Sequence, residues 1–244
     1  MKKQKGFTLI EIMIAMVLGL IVIGGALSIY ISTIRGSSNT VKSTRLNHDL
    51  DSALQLMTND IRRAGFWGGA VVNADVRINP FMLGNANIQV PIASCILYTY
   101  DSDGDGLLDD SSLDGNTTGT DEDTSEFFGF RLVDGTVDMR SSKVADTTGD
   151  CTGSGWEAFT SPNVDATTLT FSTTPYKCLN VTTNFSDNKS CASVVTDTNL
   201  SAGDEAVEIR QIDIRLIGQV LNDNGVTKDI SSKVKVRNNR VFTQ

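Results

Sequence analysis

The sequence predicts an α+β protein: a long N-terminal helix followed by a mainly antiparallel, β-rich domain. Three observations carry this. From Phe7 to Ile34 the chain is apolar apart from small hydroxyls and one acid, Glu11. Leu46, Leu50, Leu54, Met57 and Ile61 then recur at spacings of three and four, which places them on one helical face. Beyond Pro91, short runs of β-branched and aromatic residues alternate between turn signals such as Asp134-Gly135 and Asn224-Gly225.

The first stretch is the most informative. Lys2, Lys3 and Lys5 precede Gly6 and the apolar run. A helix from Phe7 to Ile34 rises about 42 Å at 1.5 Å per residue, enough to span a bilayer. An unpaired carboxylate in such a helix costs at least ~2.5 kcal/mol, so Glu11 needs a partner and marks function. An uncut signal anchor, or a secretory signal cut near Gly24-Gly25-Ala26, would share the hydropathy. A secretory apolar region is usually ~7–15 residues long and carries no acid.

Composition bounds the rest. The chain has 244 residues and a formal net charge of −8. Loss of the three leader lysines brings the remainder to −8 − 3 = −11. An acidic surface argues against nucleic-acid binding, which needs a basic footprint. The lysine cluster keeps the N-terminus cytoplasmic, although Arg35, Lys42 and Arg45 beyond the span blunt that signal. The globular part is then expected in the periplasm.

After Ile34, Arg35-Gly36-Ser37-Ser38-Asn39-Thr40 is a polar break at the expected membrane surface. The second helical pattern stops at Gly65. If the break is only a bend, one helix runs from Phe7 to Ala64. The expected divisions are 1–6, 7–34, 35–65 and 66–244: a leader, a spanning helix, its amphipathic continuation and a β-rich domain.

Both ends of the chain resemble a known family. Lysines, Gly6 and Phe7-Thr8-Leu9-Ile10-Glu11 before an apolar helix look like the leader of type IV prepilins and type II secretion pseudopilins. Leu46-Asn47-His48-Asp49-Leu50, Asn59-Asp60-Ile61-Arg62-Arg63-Ala64-Gly65-Phe66 and the closing Val236-Arg237-Asn238-Asn239-Arg240-Val241-Phe242 resemble the PilW-type minor pilins, relatives of the J-type minor pseudopilins. The middle, from about Gly65 to Gly203, is similar only in kind. The resemblance implies a pilin-like fold and cleavage after Gly6 by prepilin peptidase, leaving Phe7 as an N-methylated first residue. It implies that Glu11 pairs with the Phe7 amine of a neighbouring subunit. It further implies a minor pilin that primes assembly near the pilus tip, with other minor pilins, the major pilin and a tip adhesin as partners and the bacterial inner membrane as its first location. The J-type pseudopilin is the runner-up. A membrane-anchored periplasmic calcium- or ligand-binding module is the reading from another class.

The middle of the chain holds a second candidate site. Pro91 to Tyr100 reads as one strand and leads into Asp101-Ser102-Asp103-Gly104-Asp105-Gly106-Leu107-Leu108-Asp109. Acids at alternate positions followed by glycine match the first half of an EF-hand loop, with Asp101, Asp103, Asp105, the Leu107 carbonyl and Asp109 as calcium ligands. The twelfth position is Ser112 rather than glutamate, and helical flanks are missing. Ten acids and no lysine or arginine lie from Asp101 to Glu126 inclusive. The bland alternative is a solvated acidic loop.

Later strands are expected at 126–133, 136–140, 167–172, 205–218 and 234–237. Cys95, Cys151, Cys178 and Cys191 contain no CxxC pair, and His48 is the single histidine, so two disulfides fit an exported domain better than zinc does. Four cysteines allow three pairings. Cys95–Cys151 with Cys178–Cys191 is the expectation, because the second closes a short polar loop. No catalytic constellation, phosphate loop or dinucleotide fingerprint is present, and the protein reads as structural, not enzymatic.

Overall fold

The computed structural model describes residues 6–68, 79–83, 86–104, 106, 108, 126–140, 151–152, 155–173, 177–182, 184–190 (backbone only) and 203–243. The chain forms two compact units, Met1–Arg45 and Leu46–Gln244.

One helix, α1, runs without interruption over Leu9–Ile61. The polar stretch from Arg35 to Thr40 does not break it. Thr40 and Thr44 return their hydroxyls to the carbonyls of Gly36 and Thr40, four residues back, so the polar side chains are satisfied within the helix. In the first unit the apolar side chains of α1 are exposed, Ile10, Val17, Ile21 and Ile29 among them. It is the one helix among the described residues that is long and apolar enough to cross a membrane.

Among the described residues the second unit holds twelve strands: β1 (Gln89–Ile92), β2 (Cys95–Thr99), β3 (Phe127–Val133), β4 (Thr136–Arg140), β5 (Trp156–Ala158), β6 (Val164–Thr173), β7 (Lys177–Asn180), β8 (Asn184–Ser190), β9 (Glu205–Ile209), β10 (Gln211–Val220), β11 (Asp223–Lys235) and β12 (Arg240–Thr243). They form three antiparallel sheets in the orders β1-β2-β3-β4-β5, β11-β10-β6 and β12-β9-β7-β8. The expected α+β, pilin-like architecture is therefore present, with its strands divided among three ladders.

Within this unit the helical stripe meets the sheets. Leu46, Leu50, Ala53, Met57 and Ile61 are buried together with Ile96, Phe130, Leu169, Phe171, Ile212, Ile214, Leu216 and Val234. Burying each large aliphatic side chain contributes about 1.5–3 kcal/mol. Ala53 takes the central place expected for Leu54, which is only partly buried. Gly218 of β10 lets the helix approach closely. A Cβ there would sit 3.0 Å from a Leu50 methyl.

Three strand expectations are corrected. Pro91 to Tyr100 is not one strand: the chain turns at Ala93-Ser94, and β1 folds back on β2 with Ile92 opposite Cys95. Proline cannot donate to a ladder, which confines Pro91 to the outer strand β1. The run from Glu205 to Gly218 is also two strands, divided at Arg210, and they join different sheets. The last alternating segment is longer than expected, since β11 begins at Asp223, and β12 follows it. The Asp134-Gly135 turn joins β3 to β4 as expected, with positive φ at both residues (48° and 80°), the pairing a tight hairpin requires.

A disulfide joins Cys95 to Cys151, with Cα atoms 6.2 Å apart. Cys178 is also disulfide-bonded. Cys191, its expected partner, lies outside the described residues.

Candidate functional site

The start of α1 is the first site. Gly6, Phe7 and Thr8 precede the helix and are exposed, Phe7 with 86% of its surface free. Thr8 and Glu11 close on each other. The Thr8 amide donates to Glu11 Oε2 at 2.9 Å, the Thr8 hydroxyl donates to the same oxygen at 2.8 Å, and the Glu11 amide faces Thr8 Oγ at 3.4 Å. This is a capping box, in which a threonine and a glutamate three residues on satisfy orphan amides of the first turn. Glu11 thus has a partner within its own chain. Sequence reasoning assigned Glu11 only an external partner and gave Thr8 no role. The Thr-x-x-Glu spacing at the head of an apolar run was the signal that could have found it.

The second site is where α1 ends. After Ile61 the chain tightens through amide-to-carbonyl bonds from Arg63 to Asp60, Ala64 to Ile61 and Phe66 to Arg63. Gly65 follows at φ +71°, and its amide donates to the Thr99 carbonyl at 2.7 Å. A side chain there would strike Met82 Cε at 2.5 Å and the buried Arg210 guanidinium at 2.9 Å. The carbonyls just beyond the helix are met from the far end of the chain. Asn238 Nδ2 donates to the carbonyls of Arg63 (3.1 Å) and Ala64 (3.2 Å), and the Arg237 amide donates to the Arg62 carbonyl (3.2 Å). Arg210 in turn donates to the Asn238 carbonyl at 2.7 Å and to Asn87 at 2.5 Å. The two stretches that suggested a family at either end of the sequence are therefore one structural joint.

Asp60 anchors the other side of this joint. Tyr98 and Tyr100 donate to its two oxygens at 2.6 and 3.0 Å. Arg63 lies over the Tyr100 ring, 4.1 Å from its centroid, and Tyr100 stacks on Phe128 at 4.0 Å. Burial, then the Asp60 charge, push the Tyr98 phenol well above its ordinary range. The same two causes raise Tyr100, with Arg63 opposing them.

The acidic loop is tied to the same joint. The Asp101 amide donates to the Phe66 carbonyl. Asp101 Oδ2 accepts from the amides of Gly68 (2.7 Å) and Gly106 (3.1 Å), and Oδ1 accepts from Gly104 (2.6 Å). The Trp67 indole donates to the Gly106 carbonyl at 2.8 Å. Of the expected ligands, the structure brings together Asp101 and Asp103. Their companion is Glu126, whose carboxylate accepts from the Ser102 amide, and one oxygen of each acid lies within 4.8 Å of the others. Asp101 and Glu126 are buried while Asp103 is exposed. Asp105, Leu107 and Asp109 lie outside the described residues. Glu126 was missed because it stands 25 positions after Asp101, beyond any loop spacing. Only the arrival of β3 beside β2 brings it there. Three carboxylate oxygens so grouped suit a hard, oxygen-seeking cation.

Two family models match the chain. The family described as prepilin peptidase-dependent protein B matches residues 39–236, and the prokaryotic N-terminal methylation motif matches residues 1–27. No curated relative and no solved structure matches.

Proposed function

The chain belongs to the prepilin peptidase-dependent protein B family, a pilin-type protein by its leader and fold, and from that premise we propose that it is a minor pilin of a type IV pilus, priming assembly at or near the tip. The observation that carries this reading is the head of α1. Gly6 and Phe7 stand free ahead of the helix, where a peptidase can reach them, and Glu11 is held two residues into it. Cleavage after Gly6 frees the Phe7 amine and leaves the Thr8 amide intact, so the capping box survives processing. In lipid, the two Thr8 donors offset the desolvation of Glu11. In the fibre, the Phe7 ammonium of the next subunit supplies a full positive charge where Thr8 offers only dipoles, and a charged pair in low dielectric outweighs them. Transfer of Glu11 from its own Thr8 to a neighbour's Phe7 is then the step that draws the helix from membrane to fibre. The soluble unit faces the periplasm, and the role is structural.

The test is the mature N-terminus, read by intact mass and peptide sequencing with and without prepilin peptidase. A chain beginning at N-methyl Phe7 is expected. A chain still beginning at Met1, or cut near Ala26, would remove the reading.

We further propose that Asp101, Asp103 and Glu126 hold calcium, favoured by the convergence of their oxygens within 4.8 Å. Calcium would neutralise carboxylates crowded at the end of α1 and stiffen the loop that Trp67 touches. Calcium titration of a Trp156→Phe chain should change Trp67 fluorescence saturably, and Asp103→Asn should weaken the midpoint at least tenfold. A flat titration would discard the ion and leave the pilin reading standing.

A further inference from the structure

The joint at the end of α1 also builds a pair of cations that have no partner among the described residues. The Arg237 amide bonds to the Arg62 carbonyl at 3.2 Å, so residues 175 positions apart lie side by side. Both side chains are exposed, as is Lys235 two residues before Arg237. Among the described residues, none of these three cationic groups makes a hydrogen bond or ion pair. Several other cations of the unit are paired, among them Arg131 to Asp138, Arg215 to Asp229, Lys228 to Asp51 and Arg240 to Glu208.

A cation after the last helical turn offsets the negative end of the helix dipole, and Arg62 alone would do that. Arg237 goes beyond it. Its backbone is held by its own bond to Arg62 and by the Asn238 bonds to Arg63 and Ala64, so two exposed arginines stand on neighbouring, fixed backbone. In a chain of net charge −8, such a pair is stable only while solvent screens it and is satisfied when an anion bridges it.

We propose that Arg62, Arg237 and Lys235 form a docking surface for a carboxylate-rich segment of a neighbouring pilin-type subunit. This chain carries such a segment itself, with seven acids and no lysine or arginine from Asp105 to Asp123, so the required complement exists on at least one pilin-type subunit. The naming of a fibre subunit as the occupant rests on the proposed function. The carboxylate chemistry rests on the patch alone.

The patch is tested with the full chain in non-ionic detergent and a fluorescein-labelled hexaglutamate peptide, read by anisotropy. Binding should weaken at least tenfold in Arg62→Glu/Arg237→Glu and less than threefold in Arg62→Lys/Arg237→Lys. Lys228, paired with Asp51 and seven positions before Lys235 along β11, gives the control. Lys228→Glu should change binding less than twofold, against at least fivefold for Arg237→Glu alone. Equal losses at Lys228 and Arg237, or displacement by equimolar inorganic phosphate, would overturn the assignment. In cells, the Arg62→Glu/Arg237→Glu chain should keep its Phe7 N-terminus and its membrane level yet fall at least tenfold in sheared surface fibres. If it enters fibres normally while Glu11→Ala does not, the docking surface is wrong and the pilin reading intact. If Glu11→Ala also enters, the pilin reading fails and takes the neighbouring-subunit assignment with it.

Discussion

α1 is one helix with two chemistries. Up to Ile34 it is apolar on every side and buries none of that surface in its own chain. From Leu46 to Ile61 it is striped, and the stripe is closed over by β6, β10 and β11. A helix apolar all round needs an apolar solvent or other helices, whereas a striped one needs only a sheet. The same backbone thus divides into a part completed from outside the molecule and a part completed within it. Glu11 belongs to the first kind and Asp60 to the second, and each is held by hydroxyl donors suited to its setting.

The comparison breaks most visibly at Glu11. Glu11→Ala should abolish recovery in sheared fibres, a fall of at least tenfold, while the denaturation midpoint of the second unit stays unchanged. Both tryptophans, Trp67 and Trp156, lie in that unit and report its unfolding. If the midpoint moves too, the two halves are not independent.

A pair of leucines sharpens the contrast. Leu50→Ala should cost about 2–5 kcal/mol in denaturant unfolding, since the side chain is fully buried. Leu18→Ala, in the exposed first half, should change the same transition by less than about 0.5 kcal/mol. Next comes Gly65→Ala, with an expected cost of about 1–3 kcal/mol, because φ is +71° and Met82 and Arg210 fill the space.

Titration gives the smaller effects. Tyr98 and Tyr100 are raised above the usual phenol value of 10.0, so the folded state favours their protonated forms. That stability is complete below pH 10 and is lost as pH rises above it. Tyr98→Phe should flatten the alkaline decline of the unfolding midpoint while costing about 1.5–3 kcal/mol at neutral pH through its bond to Asp60. Asp229 is shifted the other way. Its bond to Arg215 lowers it below the ordinary carboxylate range, so its contribution is present above pH 3.8 and fades as pH falls through the lowered value. The pair is exposed, and Asp229→Asn should leave the neutral-pH midpoint almost unchanged.

Much of this was legible in the sequence. The apolar run, the acid within it and the stripe from Leu46 to Ile61 follow from periodicity, because a helix face is a local property. The β3–β4 hairpin follows from Asp134-Gly135 for the same reason. The division at Arg210 was not legible. Glu205 to Gly218 alternates without a breaker, and only the exit of Arg210 toward Asn87 and Asn238 sends β9 and β10 into different sheets. Pairings across long separations were also hidden. Glu126 beside Asp101, Asn238 on Ala64 and the two phenols on Asp60 depend on which strands meet, and local spacing does not encode that. The Thr8 cap and the Ala93-Ser94 turn are local features too, the first carried by the Thr-x-x-Glu spacing.

The Asn238 clamp has a bearing on the order of synthesis. The carbonyls it satisfies belong to residues made 175 and 174 positions earlier. While the chain is being made, α1 is complete long before the residues that close its far end. That end closes only when the last-made segment returns to it. Until then the carbonyls of Arg63 and Ala64 lack their Asn238 donor, so this corner of the second unit is completed last.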